Sequence, residues 1–110
     1  MKRRHLYSRE TIEAAQLLGA QVALARRERR WPARELAERA GITQTTLRKV
    51  ERGDPTVTMG VAFEVATLVG VPLFHEDQTR LSLDLDRTRS RVAVLPQRVR
   101  IPGDGAKDDF

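Results

Sequence analysis

Apolar positions fall at helical spacing almost from the start of the chain. Ile12, Ala15, Leu18, Val22 and Ala25 recur every three or four residues, which predicts a helix running to about Arg29 and begun by Ser8 or Thr11 as cap. Leu36, Ala37 and Ala40 predict a second helix, and Leu47 and Val50 a third. Between these two stand Gly41, Ile42 and the N-cap candidate Thr43. Gly41 sits where a sharp reversal demands a backbone angle that glycine alone takes without steric cost. The stretch 33–53 therefore describes two short helices joined by a tight turn, each too short to be stable alone.

After Gly53 the pair Asp54–Pro55 marks a loop. A further helix over about 59–69, for which Thr58 offers a cap, carries Ala62, Val65, Ala66 and Val69 as its core stripe, and Gly70 ends it. Val61, Phe63 and Leu68 widen that stripe, as expected of a helix at the centre of a fold or in a subunit interface. Residues 76–95 hold two competing patterns. Leu81, Leu83 and Leu85 alternate as in a strand, whereas Leu81, Leu85, Thr88, Val92 and Leu95 keep helical spacing. The helix is favoured by its length, with Pro96 as its stop; a strand at 81–85 pairing with a second subunit is the alternative.

On a wheel of the third helix, Leu47 and Val50 define the inner face. Thr45, Arg48, Lys49 and Arg52 fall opposite, with Gln44 on the flank of the first turn. The outer face holds no acid. It offers amide and hydroxyl groups suited to base edges, then cations suited to phosphate or guanine. Glu51 falls toward the inner side, where it needs a cationic partner.

This segment resembles the helix-turn-helix of the Cro/phage-repressor (XRE) family at Gly41, Ile42, Thr43, Gln44, Leu47, Glu51 and Gly53, and the likeness extends over about residues 15–74. It implies an all-α fold: a compact five-helix repressor-like domain, here spanning 8–75. A basic arm (1–7) precedes it, a dimerisation or partner-binding extension (76–95) follows, and a tail (96–110) ends the chain. The resemblance also implies that a basic residue of the first helix pairs with the glutamate of the recognition helix, which here means Arg26 with Glu51. By the same resemblance Gln44 and Thr45 read base edges and Lys49, with Arg48 beside it, approaches guanine or phosphate. Thr43, Thr46 and Arg52, and the hydroxyls of Thr56 and Thr58 past Gly53, complete the expected DNA-facing set. The family's usual Ser or Thr and Gln are replaced by Pro32 and Ala33, so the phosphate clamp passes to Arg34 or to the helix-terminal N–H groups. Trp31 is expected to close the gap between helices as a hydrophobic staple.

The lead-in YSRETIEAAQLLGAQV and the basic extension with LPQRVR are similar to HipB-type antitoxins. That narrower likeness implies a homodimer that represses its own operon on a pseudo-palindromic operator and binds a HipA-type kinase toxin. A stand-alone regulator is the alternative.

Composition narrows the classes. The 110 residues carry 20 Lys and Arg against 15 Asp and Glu, a formal net charge of +5. The charge is uneven: residues 1–52 hold thirteen basic and six acidic side chains, and residues 53–79 hold none and four. A basic front beside an acidic segment suits a DNA face and a separate protein-contact face. With no cysteine there is no disulfide framework, which fits a reducing, cytoplasmic setting. No apolar run reaches membrane-span length, and the basic start MKRRH leads into polar residues, unlike a secretory signal. His5 and His75 are far apart, and Gly103 and Gly105 follow no strand, so neither an enzyme nor any cofactor is expected. Asp84 and Asp86 are expected to be a solvated or salt-bridged pair.

Overall fold

A computed structural model describes residues 6–75 and 77–98. The basic arm expected over 1–7 and the tail over 96–110 fall largely outside the described residues. Among the described residues five helices follow one another: α1 (Arg9–Glu28), α2 (Ala33–Ala40), α3 (Gln44–Glu51), α4 (Met59–Leu68) and α5 (Gln78–Ala93). The chain divides into two units, Met1–Leu73 with α1 to α4 and Phe74–Phe110 with α5.

In the first unit α1 packs on α3 and α4, and α2 packs on α3 and α4. The core is small and aliphatic: Val22 from α1, Leu36 and Ala37 from α2, Leu47 and Val50 from α3, then Val65, Ala66, Val69 and Val71. Leu36 and Leu47 are essentially sealed from solvent, and burying each contributes about 2 kcal/mol. Trp31 packs against this core as the expected staple, beneath the guanidinium of Arg39, 4.3 Å from its ring centre. The stripe read for α1 is displaced at its start, because Ile12 stays exposed while Gly19 is buried.

All four helices of this unit close in the same way. The chain turns through a left-handed residue, whose N–H and that of its successor bond back to carbonyls of the last turn. Gly41 (φ 71°), Gly53 (φ 78°) and Gly70 (φ 81°) serve α2, α3 and α4. At α1 the residue is Arg30 (φ 60°): its N–H reaches Arg27 O and that of Trp31 reaches Arg26 O, at 3.0 and 3.1 Å. A side chain at that angle is strained where glycine is not. Arg30→Gly is therefore expected to stabilise the fold by about 0.5–1 kcal/mol and to raise the thermal midpoint by roughly 2–8 °C, read by calorimetry.

Ser8 caps α1, its hydroxyl accepting from Thr11 N–H at 3.1 Å. Thr58 stands at the N-cap of α4, but its side chain makes no capping bond, contrary to the sequence expectation.

In the second unit residues 78–93 are helical, so the longer period prevails over the strand alternation. Leu95 lies past the helix end, capped at Val94. His75 and Asp84 are hydrogen-bonded side chain to side chain. No residue of α5 is buried, and Leu83, Leu85 and Val92 are exposed.

Candidate nucleic-acid interface

The interface is built on α3, and its orientation begins with the turn before it. Gly41 leaves α2 left-handed, then Thr43 opens α3 by accepting Thr46 N–H at its hydroxyl (3.1 Å) and donating to Thr46 Oγ1 (3.0 Å). Those two hydroxyls are thus already engaged in the cap, and Thr46 is half-buried. Leu47 and Val50 anchor the inner face. Gln44, Thr45, Arg48, Lys49 and Arg52 are all exposed. Among the described residues none of Arg34, Arg48, Lys49 and Arg52 forms an ion pair. The outer face of α3 therefore carries cations outside any ion pair at its last turn, with the Asp54 carboxylate within electrostatic reach of Lys49 and Arg52, and Gln44 and Thr45 stand in its first.

Behind it, α1 holds α3 at backbone distance. A Cβ on Gly19 would lie 2.3 Å from Val50 O and 2.7 Å from Glu51 O, and one on Gly53 would lie 2.5 Å from the Cα of Gln16. Over this contact Arg26 reaches Glu51 with both arms of its fork, Nε to Oε2 at 2.7 Å and Nη2 to Oε1 at 3.1 Å. Its remaining Nη1 donates to Trp31 O at 2.9 Å. The hydrogen bond to Glu51 holds the Arg26 guanidinium above its ordinary pKa, against the opposing effect of burial. One side chain thereby ties the end of α3 to the entry of α2.

The other expected residues lie at the rim. Arg34 is exposed in the first turn of α2, where Pro32 is the N-cap and no side chain caps the helix. Thr56 turns inward on its own loop: its N–H and its hydroxyl both donate to Asp54 Oδ1, at 2.9 and 2.7 Å. That hydroxyl is the main reason the Asp54 carboxyl sits below its usual range, with the Thr56 N–H second. Thr58 is exposed beyond it.

Sequence reasoning missed two contributors. Gly19 reads as a gap in an apolar stripe, and its role exists only because α3 comes so close. Arg29, read from the sequence only as the end of its helix, donates Nε to Val69 O at 3.0 Å and so satisfies the end of α4.

A packed helix pair with a tight glycine turn, presenting a basic outer face, defines a helix-turn-helix DNA-binding regulator. Residues 22–75 match the family model described as "Helix-turn-helix", and they form a domain of the Cro/phage-repressor (XRE) type. A solved structure of a HipB variant in complex with an O2 20mer superposes with a TM-score of 0.50 at 22% identity, covering 70% of this chain and 99% of that one. At that identity the likeness shows a shared fold. No curated protein matches the sequence. Among the described residues no helix is long and apolar enough to cross a membrane.

Proposed function

We propose that this chain is a dimeric, sequence-specific transcriptional repressor that sets α3 of each copy into successive major grooves of a pseudo-palindromic operator. The observation that carries the reading is the outer face of α3: exposed Gln44 and Thr45 followed by Arg48, Lys49 and Arg52, with no acid among them. Gln44 and Thr45 read base edges, Lys49 takes guanine or phosphate, and Arg34 with the N-terminus of α2 holds the backbone.

The second copy docks through α5. An antiparallel pairing centred between Asp86 and Arg87 sets Leu81 opposite Val92 and Leu85 opposite Thr88, and brings Asp84 to the same edge as Arg91 of the other copy. The apolar stripe is thus covered and the flanking charges are opposite in sign. The fold shared with a HipB variant solved on a 20mer supports the finer reading, an antitoxin that represses its own operon and binds a HipA-type kinase toxin.

Footprinting on the chain's own promoter, with a salt titration, tests the repressor. Two protected half-sites about 34–36 Å apart are expected, and a single unpaired footprint contradicts the dimer. Gln44→Ala should cost about 1–3 kcal/mol on the specific site and relax preference at one base position. An equal loss on random DNA removes Gln44 from direct readout. Co-purification with a kinase from the same operon distinguishes the antitoxin from a stand-alone regulator.

A further inference from the structure

A concavity of about 300 Å³ lies between α1 and α3, lined by Ala23, Arg27, Arg48, Glu51 and Arg52. Three arginines line it, Arg27 from α1 and Arg48 and Arg52 from α3 and its C-cap. The single carboxylate in the lining, that of Glu51, already spends both oxygens on Arg26. Among the described residues neither Arg27, Arg48 nor Arg52 forms an ion pair. Gly19 sets the two helix backbones that carry these side chains against each other. Three cations on the walls of one concavity, none of them in an ion pair, favour an anion there.

We propose that this concavity seats a DNA phosphodiester, making Arg27 of α1 a backbone contact outside the helix-turn-helix itself. The inference rests on the DNA-binding reading above. A helix about 10–12 Å across nearly fills a major groove about 12 Å wide. Residues on the flank of α3 therefore meet the groove wall, and that wall is the phosphate chain. Arg48 and Arg52 are the residues of the outer face that border the concavity toward α1, and Arg27 extends this basic edge onto α1. A planar fork suits a phosphate's paired oxygens, and each N–H donates to oxygen. The seat fixes register and carries no base preference.

Arg27→Gln and the charge-matched control Arg9→Gln, exposed at the start of α1, are compared with the wild-type chain on a random-sequence 20-bp duplex across a salt titration. For Arg27→Gln, affinity near 0.1 M salt should fall roughly 3–10-fold, and the slope of log K against log salt should shrink by about 0.9, one phosphate contact. Arg9→Gln should leave the slope unchanged. A wild-type slope in Arg27→Gln overturns the seat and leaves the DNA-binding reading intact; equal losses in both variants reduce it to net charge and also overturn it. A wild-type chain that binds no duplex overturns the seat and the reading together. Circular dichroism of both variants shows whether the fold is retained, and Arg27→Lys, which keeps the charge and loses the fork, should recover the slope more than the affinity.

Discussion

Gly19→Ala should destabilise the first unit by about 3 kcal/mol, although alanine is the better helix former by about 1 kcal/mol. The sign is the informative part. In a helix interior free of neighbours the change would stabilise, but here the new methyl would stand 2.3 Å from Val50 O, 2.7 Å from Glu51 O and 2.9 Å from the Glu51 carbonyl carbon. All three are backbone atoms and cannot rotate away, so α1 must lift from α3. The Cα of Gln16 then leaves Gly53, and Arg26 leaves Glu51. Gly60→Ala is the internal control: nothing lies within 4 Å of a Cβ there, and a gain of about 0.5 kcal/mol follows from propensity alone. Urea unfolding of both variants checks the pair. If Gly19→Ala were neutral or stabilising, the close approach of α1 to α3 would be wrong, and with it the concavity they enclose. Set against the 5–15 kcal/mol typical of whole domains, such a loss leaves little folded protein at 37 °C.

Arg26→Ala is expected to cost about 3–4 kcal/mol, because it leaves the Glu51 carboxylate nearly buried without its partner. The Glu51 side chain is only 13% exposed and that of Arg26 12%, so water replaces little of what is lost. Arg26→Lys keeps the charge and forfeits the two-armed grip, and should recover about half the stability. Arg9→Ala breaks a pair whose side chains are 86% and 63% exposed and should not measurably change stability. The pH dependence has a definite sign. The Arg26 pKa is raised in the folded state, so its contribution is fully present below the ordinary arginine range and is lost only as pH rises beyond it. The loss caused by Arg26→Ala should therefore be the same at pH 7 and pH 9 in denaturant melts. On DNA the variant should lose specific affinity more than nonspecific, since the end of α3 is no longer tied to the entry of α2.

The first four helices and their order were legible because each buries apolar residues at a period near 3.6, and the reversal at Gly41 because the turn needs a left-handed residue. The outer face of α3 followed once Leu47 and Val50 were set inward. What escaped was everything decided by proximity between elements. Gly19 gives no periodic signal, as pattern counts side chains and its contribution is to have none. Arg29 lies in a run of cations that all look alike, and only the packed fold brings the carbonyl of Val69, forty residues on, to its Nε at 3.0 Å. Arg30 takes a glycine's conformation with nothing in its residue type to announce it. The local bonds of the threonines also went unread: Thr43, Thr46 and Thr56 find partners within three residues, a matter of turn geometry that residue type alone does not announce. Residues 76–95 admitted strand or helix because a short leucine alternation lies inside a longer helical stripe, and there the longer run prevailed.

Trp31, the chain's one tryptophan, stands where α1 gives way to α2, with Arg39 over its ring and its carbonyl held by Arg26. The molecule thus carries a built-in optical gauge at the joint on which recognition depends. Its indole emission will redden when that joint is wetted, with no dye and no engineered label, and will do so whichever of the two helices is the first to let go.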